Sequence, residues 1–439
     1  MYDAPDPKFP PRQHLGAIAA GSVGTGILAA LLLAAAPFVP ATEAGVTGAI
    51  LVGLALGWAM LAVLAVRFTD HPQAWAFAPA LFLGTGGFLL LAFGSPLHEA
   101  LAWVWPPALV VLALWMTVQI SRRLRSRGAR LLLYPGIAVL VLASLGAGSE
   151  TVRGAVDAQA PPAPGELIDV GGHRLYLNCT GSGSPTVVLE PGAGLKSSDL
   201  RWITPVVAAN TRVCVYDRAG RGRSEPATTP QDGAHVAADL HTLLERGNEP
   251  GPYVLAGHSF GGLYALTFAA RYPGEVAGLV LVDSTAPAPA AEQEAEPAQP
   301  AAADPDDTMS RVSALVAAAA RLGFGRVVGV SDPSHLQSTV EEYLHAGSSV
   351  RQAAALRTFT DKPLAVLSAG TGSRPGWIAS QEALAALSTN NLHHVVDGST
   401  HASLIFDRED AAATARGILG VVSAVRTGSP MDPGLGTGA

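Results

Sequence analysis

The sequence has few charged side chains. Lys, Arg, Asp and Glu make up 14% of its 439 residues, hydrophobic residues make up 49%, and the mean hydropathy is +0.30. This balance indicates a membrane protein or a chain with a membrane part, and the length indicates two or more domains. Basic residues are also scarce beyond Glu150, where the chain has 20 basic and 29 acidic residues and the basic ones do not cluster. This distribution disfavours a nucleic-acid partner.

Charged residues are absent from five apolar runs in the first 150 residues. The runs are Leu15–Phe38, Val46–Val66, Ala74–Phe93, Leu101–Ile120 and Leu131–Ala147. A helix needs about 20 apolar residues, and at least about 17, to cross the hydrocarbon core. Four runs meet this length and the fifth is at its lower limit, so residues 1–150 are predicted to be a membrane region with about five transmembrane helices. A cleaved signal peptide would have one short apolar core instead.

The loops between these runs predict an orientation. Lys and Arg collect in cytoplasmic loops. Here they lie in the N-terminal segment, at Arg67 and in the five-arginine segment SRRLRSRGAR, while the first and third loops have none. With a cytoplasmic N-terminus, five crossings put everything after Glu150 outside the cell membrane. If the short fifth run were re-entrant, the distal part of the chain would be cytoplasmic.

Cysteine is scarce as well, and the two present, Cys179 and Cys214, fall in strand-like stretches. An oxidising compartment would permit a disulfide between them. Two separate buried thiols, which behave as small apolar side chains, are the alternative. Sequence spacing does not decide between these states, because pairing depends on the distance between the two Cα atoms.

From about Gly165, short β-rich stretches alternate with helical ones. Eight stretches have strand character: ELIDV, HRLYLNC, PTVVLE, RVCVYD, YVLAGHS, GLVLVD, PLAVLSA and LHHVVDG. This order is typical of an α/β domain with a mostly parallel sheet and helices on both faces, which we predict over residues 151–427. Residues 286–358 are expected to be a helical cap insertion whose Ala/Pro-rich start is disordered, and residues 428–439 a disordered tail.

The stretch YVLAGHSFGGLYALTF predicts a sharp turn between a strand and a helix. Ser259 lies at the turn, with Gly257 and Gly261 on either side in the order G-x-S-x-G. Neighbours without side chains permit such a strained turn, which lifts a serine hydroxyl off the edge of the sheet and points the first amides of the helix at the reacting oxygen. Ser259 is therefore the candidate nucleophile.

Together with this turn, four other stretches resemble the α/β-hydrolase family over roughly residues 165–427. YDRAGRGRSEP resembles the family's strand-four signature, VVLEPGAG its strand-three turn, and GLVLVDS and VVDGSTHASLI its strands six and eight with their following loops. The likeness is closest to bacterial hydrolases of this fold that carry the start LNCTGSGSPTVVLE. The resemblance implies an eight-stranded, mostly parallel sheet with helices on both faces and a small helical cap.

A serine hydroxyl needs a base to become a nucleophile. The family places a histidine after its last strand, and His401 in DGSTHASL occupies that position. Other histidines fit the role less well. His258 directly precedes the serine and its side chain is expected to lean away, while His393 and His394 are neighbours on a strand and face opposite sides of the sheet.

The resemblance also implies two backbone donors for the oxyanion. One is the amide of Phe260, directly after the serine. The other comes from the strand-three turn, where Pro191-Gly192 replaces the usual His-Gly and makes the amide of Ala193 the candidate. Glu190, beside this turn, is expected to be a structural partner rather than a catalytic carboxylate.

The third catalytic group departs from the family pattern. Its acid most often follows strand seven, but the corresponding loop here, SAGTGSRPGW, has no carboxylate before Glu382, which falls in the next helix. Some members take the acid from the end of strand six, where Asp283 stands in LVLVDST. An aspartate there would fix the histidine tautomer and stabilise the imidazolium. Asp283 is the first candidate, and the alternatives are Glu382 or no dedicated acid, with Asp283 serving as a structural cap.

The sequence thus favours a membrane-anchored, multi-pass serine hydrolase that cleaves an ester-like substrate through an acyl-serine intermediate. A small-molecule acyl substrate and the lipid bilayer are the expected partners, and no metal or organic cofactor is implied. The alternative is a non-enzymatic membrane transporter or sensor with a degenerate hydrolase-like ectodomain that binds a ligand. Ionisable residues, which a transport path would be expected to contain, are absent from the apolar runs.

Overall fold

The computed structural model describes residues 15–69, 72–123, 127–158, 164–227, 229–287, 311–312, 314–319 and 333–432. The chain forms two compact units. The first comprises Met1–Pro161 and Ala301–Leu336, and the second comprises Pro162–Pro300 and Gln337–Ala439. We call the first the membrane unit and the second the sheet unit.

The membrane unit contains five long helices in its described part. They are α1 (Leu15–Ala34), α2 (Glu43–Phe68), α3 (Phe77–Phe93), α4 (Ser95–Arg123) and α5 (Arg127–Ala158). Four segments are long and apolar enough to cross a membrane: Leu15–Ala34, Glu43–Phe68, Ala74–Phe93 and Ala100–Arg123. Within α5 the apolar stretch is shorter, Leu133–Ser149. These helices indicate that the chain associates with a membrane.

Glycines bring α1 and α2 close together. A Cβ at Gly26 would lie 3.0 Å from the Cα of Gly57, and a Cβ at Gly53 would overlap the backbone of Ala30. Small residues allow such backbone approach, which is a common way for helices to pack in lipid. Large apolar side chains such as Leu31 are exposed instead, as expected for a surface that lipid covers.

The sheet unit is built on the eight-stranded, mostly parallel sheet that the sequence predicts. Its strands are β1 (Glu166–Asp169), β2 (Arg174–Thr180), β3 (Thr186–Glu190), β4 (Val213–Tyr216), β5 (Tyr253–His258), β6 (Val276–Val282), β7 (Leu364–Ala369) and β8 (Asn391–Val396). Their order is β1-β2-β4-β3-β5-β6-β7-β8; β2 pairs antiparallel with β1 and β4, and the remaining pairs are parallel. The parallel strands therefore end at one edge of the sheet, where the loops after β5, β6, β7 and β8 come together.

Helices cover both faces of this sheet. They are α6 (Thr204–Ala208), α7 (Gly233–Arg246), α8 (Phe260–Arg271), α9 (Pro333–Leu344), α10 (Ala346–Ala353), α11 (Trp377–Ala385), α12 (Ser403–Phe406) and α13 (Arg408–Thr427). One core contains Leu240 of α7 and Leu263 of α8, and the other contains Ile418 of α13. Because successive side chains of a strand point to opposite faces, β5 supplies Leu255 to the first core and Val254 to the second.

The insertion between β6 and β7 departs from its expected position. Of the predicted cap over residues 286–358, the described residues 311–312 and 314–319 group with the membrane unit. There Arg311 donates hydrogen bonds to the carbonyl oxygens of Ala34 and Val39, at 3.1 and 2.8 Å. The Ala/Pro-rich start of the insertion lies almost entirely outside the described residues.

Two other boundaries also differ from those predicted. The fifth membrane helix continues past residue 150 to Ala158. The start of the predicted tail is packed rather than disordered, since Met431 is buried and its N–H donates to Oδ1 of Asn390 at 2.7 Å. Residues 433–439 lie outside the described part of the chain.

Cys179 and Cys214 face each other on β2 and β4. The structure joins their sulfurs in a disulfide, with the two Cα atoms 4.0 Å apart. Together with Glu249 these sulfurs are the one cluster of potential metal ligands found among the described residues. The cluster is not available to a metal ion, because the sulfurs are bonded to each other and Glu249 accepts hydrogen bonds from Arg212.

Candidate active site

The turn between β5 and α8 has the geometry that its glycines predict. Ser259 connects the strand to the helix with φ 54° and ψ −121°, a conformation that residues other than glycine rarely adopt. Neighbouring positions have no room for side chains. A Cβ at Gly257 would lie 2.5 Å from the carbonyl oxygen of Gly261, and a Cβ at Gly261 would overlap the backbone of Glu190. The turn therefore holds Ser259 at the edge of the sheet in a strained conformation.

The backbone of Ser259 is tied to the end of the neighbouring strand. Its N–H donates to the carbonyl oxygen of Val282 at 3.1 Å, and its carbonyl oxygen accepts the N–H of Thr285 at 3.1 Å. Asp283 lies between these two partners, so the same bonds fix it beside the serine. Asp283 also has a positive φ, 42°. Two strained residues thus stand next to each other at the ends of β5 and β6.

Asp283 and His401 are joined by a short hydrogen bond. Nδ1 of His401 lies 2.6 Å from Oδ2 of Asp283. The aspartate side chain is 3% exposed and the histidine side chain 47%. A buried carboxylate that accepts from Nδ1 keeps the proton on that nitrogen and leaves Nε2 as the proton acceptor. The carboxylate predicted from the end of strand six is therefore the one that contacts the predicted base.

The second oxygen of Asp283 has two further donors. Oδ1 accepts the indole N–H of Trp377 at 2.7 Å and the backbone N–H of Ala369 at 3.1 Å. Burial raises the pKa of Asp283, but the hydrogen bonds from His401, Trp377 and Ala369 outweigh burial and bring the pKa below its usual value. The carboxylate is therefore ionised at neutral pH.

The loop after β7 contributes an indole instead of a carboxylate. Glu382, the alternative acid, is exposed on α11, and the Nδ1 partner of His401 is Asp283. Trp377 is the first residue of that same helix and donates to Asp283. The sequence does not reveal this contact, because its one signal is a single tryptophan at the end of a glycine-rich loop.

Ser259 and His401 line one cavity of about 290 Å³. Phe260, Tyr343 and Trp377 form aromatic parts of its wall, and the rings of Phe260 and Tyr343 meet edge to face with centroids 5.5 Å apart. Two side chains that are 142 positions apart in the sequence thus open into the same space.

Two backbone amides are available beside the serine. Phe260 is the first residue of α8, so its N–H has no acceptor within the helix. Ala193 lies in the turn after β3, where a Cβ at the preceding Gly192 would be 3.2 Å from the Cβ of Ser259. In the described part of the chain, neither amide donates a hydrogen bond to a protein acceptor. Their role as oxyanion donors stays a prediction.

His258 does not lean away from the site, in contrast to our expectation. Its ring lies beside that of His401 with centroids 4.6 Å apart, and its Nε2 is 3.0 Å from the carbonyl oxygen of His401. Burial, and secondarily the positive charge that His401 can carry, lower the pKa of His258 to about 4. The neutral ring therefore donates to that carbonyl at neutral pH. The expectation considered the strand alone, whereas the loop after β8 brings His401 to it.

Glu190 is buried at the end of β3. Its Oε1 accepts the hydroxyl of Tyr216 at 2.7 Å, and its Oε2 lies 3.6 Å from Nη1 of Arg218, beyond hydrogen-bonding distance. Burial raises the pKa of Glu190 to about 7, even though Arg218 acts in the opposite direction. These contacts are those of a structural partner of the turn.

Comparison with protein families matches part of the sheet unit. Residues 185–321, which run from β3 through the serine turn and β6 into the insertion, match the family described as alpha/beta hydrolase fold. The sheet unit is an alpha/beta hydrolase fold domain. We refer to it below as the hydrolase domain.

Curated relatives of the hydrolase domain carry different names. Pimeloyl-[acyl-carrier protein] methyl ester esterase of Sodalis glossinidius is 34% identical over 113 residues, which is 25% of this chain and 41% of that protein. The protein named "Probable transporter efuK" of Hormonema carpetanum is 30% identical over 128 residues, 27% of this chain and 18% of that protein. The chain spans 28%, 37% and 18% of the length of three of these relatives, and so matches only part of each.

Solved structures also match. A thermophilic esterase from Thermogutta terrifontis is 20% identical, with a TM-score of 0.45, over 59% of this chain and 98% of that one.

Proposed function

We propose that this chain is a membrane-anchored serine hydrolase that cleaves an ester-like substrate through an acyl-serine intermediate. The observation that carries the proposal is the 2.6 Å hydrogen bond between His401 and Asp283, in a cavity that also opens onto the strained Ser259. A buried aspartate bonded to a histidine, with a serine in the same cavity, supplies the groups that activate a hydroxyl for attack on a carbonyl carbon.

The first half of the proposed reaction transfers the acyl group to the enzyme. Oγ of Ser259 attacks the ester carbonyl while Nε2 of His401 accepts the hydroxyl proton, and Asp283 stabilises the resulting imidazolium. The amides of Phe260 and Ala193 donate to the tetrahedral oxyanion. When the intermediate collapses, the bond to the alcohol oxygen breaks and His401 returns its proton to that oxygen.

The second half releases the acid. His401 accepts a proton from a water molecule, and the water oxygen attacks the acyl carbon attached to Ser259. Collapse of this second intermediate breaks the acyl-serine bond, and the serine oxygen regains its proton from His401. An ester and water thus give a carboxylic acid and an alcohol, with no change of oxidation state.

The size of the cavity favours a compact acyl substrate. Its volume of about 290 Å³ is near the lower end of small-molecule sites, which hold about 300–1,000 Å³. Aromatic walls from Phe260, Tyr343 and Trp377 favour an apolar acyl or alcohol group. The esterase relative, which is named for a methyl ester, supports an ester with a small alcohol as the substrate class.

A fluorophosphonate probe tests the nucleophile, because it reacts covalently with an activated serine. We expect the native full-length chain to be labelled and Ser259→Ala to remain unlabelled. Ser182→Ala, which removes an exposed serine between β2 and β3, is the matched control and should be labelled like the native chain. An unlabelled native chain would reject the proposal and favour the ligand-binding alternative.

We further propose that the hydrolase domain lies outside the cell membrane. With α5 as a fifth crossing, the arginines of the loops between apolar runs support this orientation. The disulfide between Cys179 and Cys214 also supports it, because such bonds persist in oxidising compartments. A membrane-impermeant fluorophosphonate should label intact and opened cells to the same extent. Labelling confined to opened cells would contradict the proposed orientation.

A further inference from the structure

Four ionisable side chains are buried together next to the turn after β3, and the proposed reaction uses none of them. Glu190, Arg218, Arg221 and Glu342 are each at most 3% exposed. We call them the charge cluster. Moving charges out of water is unfavourable, so a buried ion pair is by itself weak evidence for added stability. The contacts of the cluster indicate another role, which is to shape the turn that carries Ala193.

Arg218 binds two carbonyl oxygens of this turn. Its Nη1 donates to Pro191 and its Nη2 to Gly192, both at 2.7 Å. The C=O of Gly192 and the N–H of Ala193 belong to the same planar trans peptide, so they point in opposite directions. By holding that carbonyl oxygen, Arg218 fixes the direction of the Ala193 N–H.

Glu342 holds the other side of the same turn. Its Oε2 accepts the N–H of Gly194 at 3.0 Å and lies 2.5 Å from Nη2 of Arg221. Its Oε1 lies 2.9 Å from Nη2 of Arg218 and accepts the hydroxyl of Tyr264 at 2.9 Å. Burial raises the pKa of Glu342, but the two arginines outweigh burial and keep the pKa below its usual value. The carboxylate is therefore charged, with three hydrogen-bond donors and an ion pair to Arg218.

The helix that carries Glu342 is itself fixed against the hydrolase domain. The hydroxyl of Ser338, one turn earlier on α9, donates to the carbonyl oxygen of Ala219 at 2.8 Å and accepts Nε of Arg221 at 3.0 Å. The residue after Glu342 is Tyr343, which lines the cavity of the candidate active site. Adjacent residues of α9 thus contact the turn and the space for the substrate.

We propose that Arg218 and Glu342 are positioning residues that direct the Ala193 amide at the oxyanion. Both act through the backbone of the turn, and α9 of the insertion is then part of the active site rather than a simple cover. This inference rests on the proposed function, because an oxyanion forms there only if Ser259 attacks a carbonyl carbon.

Glu342→Gln tests the proposal, and Glu341→Gln is its matched control. The first variant removes the charge that both arginines bind while keeping the size of the side chain. The second removes the charge of the adjacent residue, whose Oε1 accepts from Gln337 at 2.9 Å on the same helix. Both are made in the full-length chain, and hydrolysis of p-nitrophenyl acetate is measured per serine titrated with a fluorophosphonate.

We expect kcat of Glu342→Gln to fall about 10- to 100-fold below that of Glu341→Gln, with KM changed by less than about threefold. The reason is that a misdirected donor weakens binding of the transition state but not of the ground-state ester. Inhibition by a trifluoromethyl ketone should weaken by a similar factor, because its adduct with the serine carries the same negative oxygen.

A purely structural role predicts a different result. It would lower the number of titratable serines and leave kcat per serine equal in the two variants, which would overturn the proposal.

If Glu342→Gln does not fold, Arg218→Lys replaces it, because lysine keeps the charge but cannot hold both carbonyl oxygens in the fixed geometry of a guanidinium group. The same fall in kcat is expected there, and an unchanged value overturns the proposal. If the proposed function itself is wrong, the fluorophosphonate will titrate no serine in the native chain, which distinguishes that failure from failure of this inference.

Discussion

Asp283→Asn is a sharp test of the candidate active site, because the surroundings of Asp283 determine how an asparagine there must be oriented. Oδ1 of Asp283 accepts two N–H groups, from Trp377 and from Ala369. An amide oxygen can accept both hydrogen bonds, whereas an NH₂ group can accept neither. The asparagine therefore places its oxygen at the Oδ1 position and its NH₂ at the Oδ2 position, facing His401.

That orientation moves the proton of the imidazole to the wrong nitrogen. An NH₂ group donates, so Nδ1 of His401 becomes the acceptor and Nε2 carries the proton. The opposite orientation leaves one buried and one partly buried N–H group without acceptors, at about 1–3 kcal/mol each, or about 2–6 kcal/mol together. At about 1.36 kcal/mol for each factor of ten, only about one molecule in 30 to one in 3 × 10⁴ keeps the productive tautomer.

We therefore expect kcat of Asp283→Asn to fall by about 30-fold to 3 × 10⁴-fold at neutral pH, because a histidine protonated on Nε2 cannot accept the serine proton. The measurement is hydrolysis of a p-nitrophenyl ester per titrated serine. Glu382→Gln is the matched control and should retain the native kcat, since its side chain is exposed on α11. Retention of more than about a tenth of native kcat in Asp283→Asn, or an equal loss in Glu382→Gln, would refute this reasoning.

Trp377→Phe removes one hydrogen-bond donor from the carboxylate of Asp283. We expect kcat to fall about tenfold, because a hydrogen bond to a charged group contributes about 1.5–3 kcal/mol. An unchanged kcat per titrated serine would contradict this prediction. Burial raises the pKa of Glu190 from 4.5 to about 7, so the folded protein binds the proton of this carboxyl more tightly than the unfolded chain does. The stability that Glu190 contributes is therefore complete below pH 4.5, and about 3 kcal/mol of it is lost as the pH rises to about 7. Glu190→Gln cannot titrate and should therefore gain thermal stability relative to the native chain across that range, whereas a constant difference in unfolding midpoint would speak against the raised pKa. Reducing the Cys179–Cys214 disulfide, which joins residues 35 positions apart, should lower the stability of the hydrolase domain by about 4 kcal/mol. The unfolding midpoint of the double variant Cys179→Ala/Cys214→Ala should be the same with and without reductant. An unfolding midpoint of the native chain that does not change when reductant is added would contradict this prediction.

The sheet and the serine turn could be read from the sequence because their signals are local. Each strand is a short β-rich stretch between turn residues, and the two glycines around Ser259 are required by close backbone contacts that any such turn makes. The eight strands and the mostly parallel sheet were predicted correctly. The choice of Asp283 over Glu382 rested on position at a strand end, and the structure shows the reason, since parallel strands end at one edge of the sheet.

Contacts between distant segments could not be read in this way. Trp377 reaches Asp283 across 94 positions, and Glu342 reaches Arg221 across 121. Neither pair has a periodic or spacing signal, because each depends on how loops fold back over the edge of the sheet. The position of His258 was predicted wrongly for the same reason. Likewise, the amphipathic pattern near residues 311–319 indicates a helix but not the unit with which it packs.

Ser259 and Asp283 both have a positive φ, which glycine adopts more readily than residues with a side chain. Each positive φ costs on the order of 1–3 kcal/mol for a residue with a side chain. Selection for folding alone would therefore tend to erase both side chains, since a chain with glycine at these two places would be relieved of the strain. A hydroxyl and a carboxyl at these adjacent strand ends are therefore present at the expense of thermal robustness.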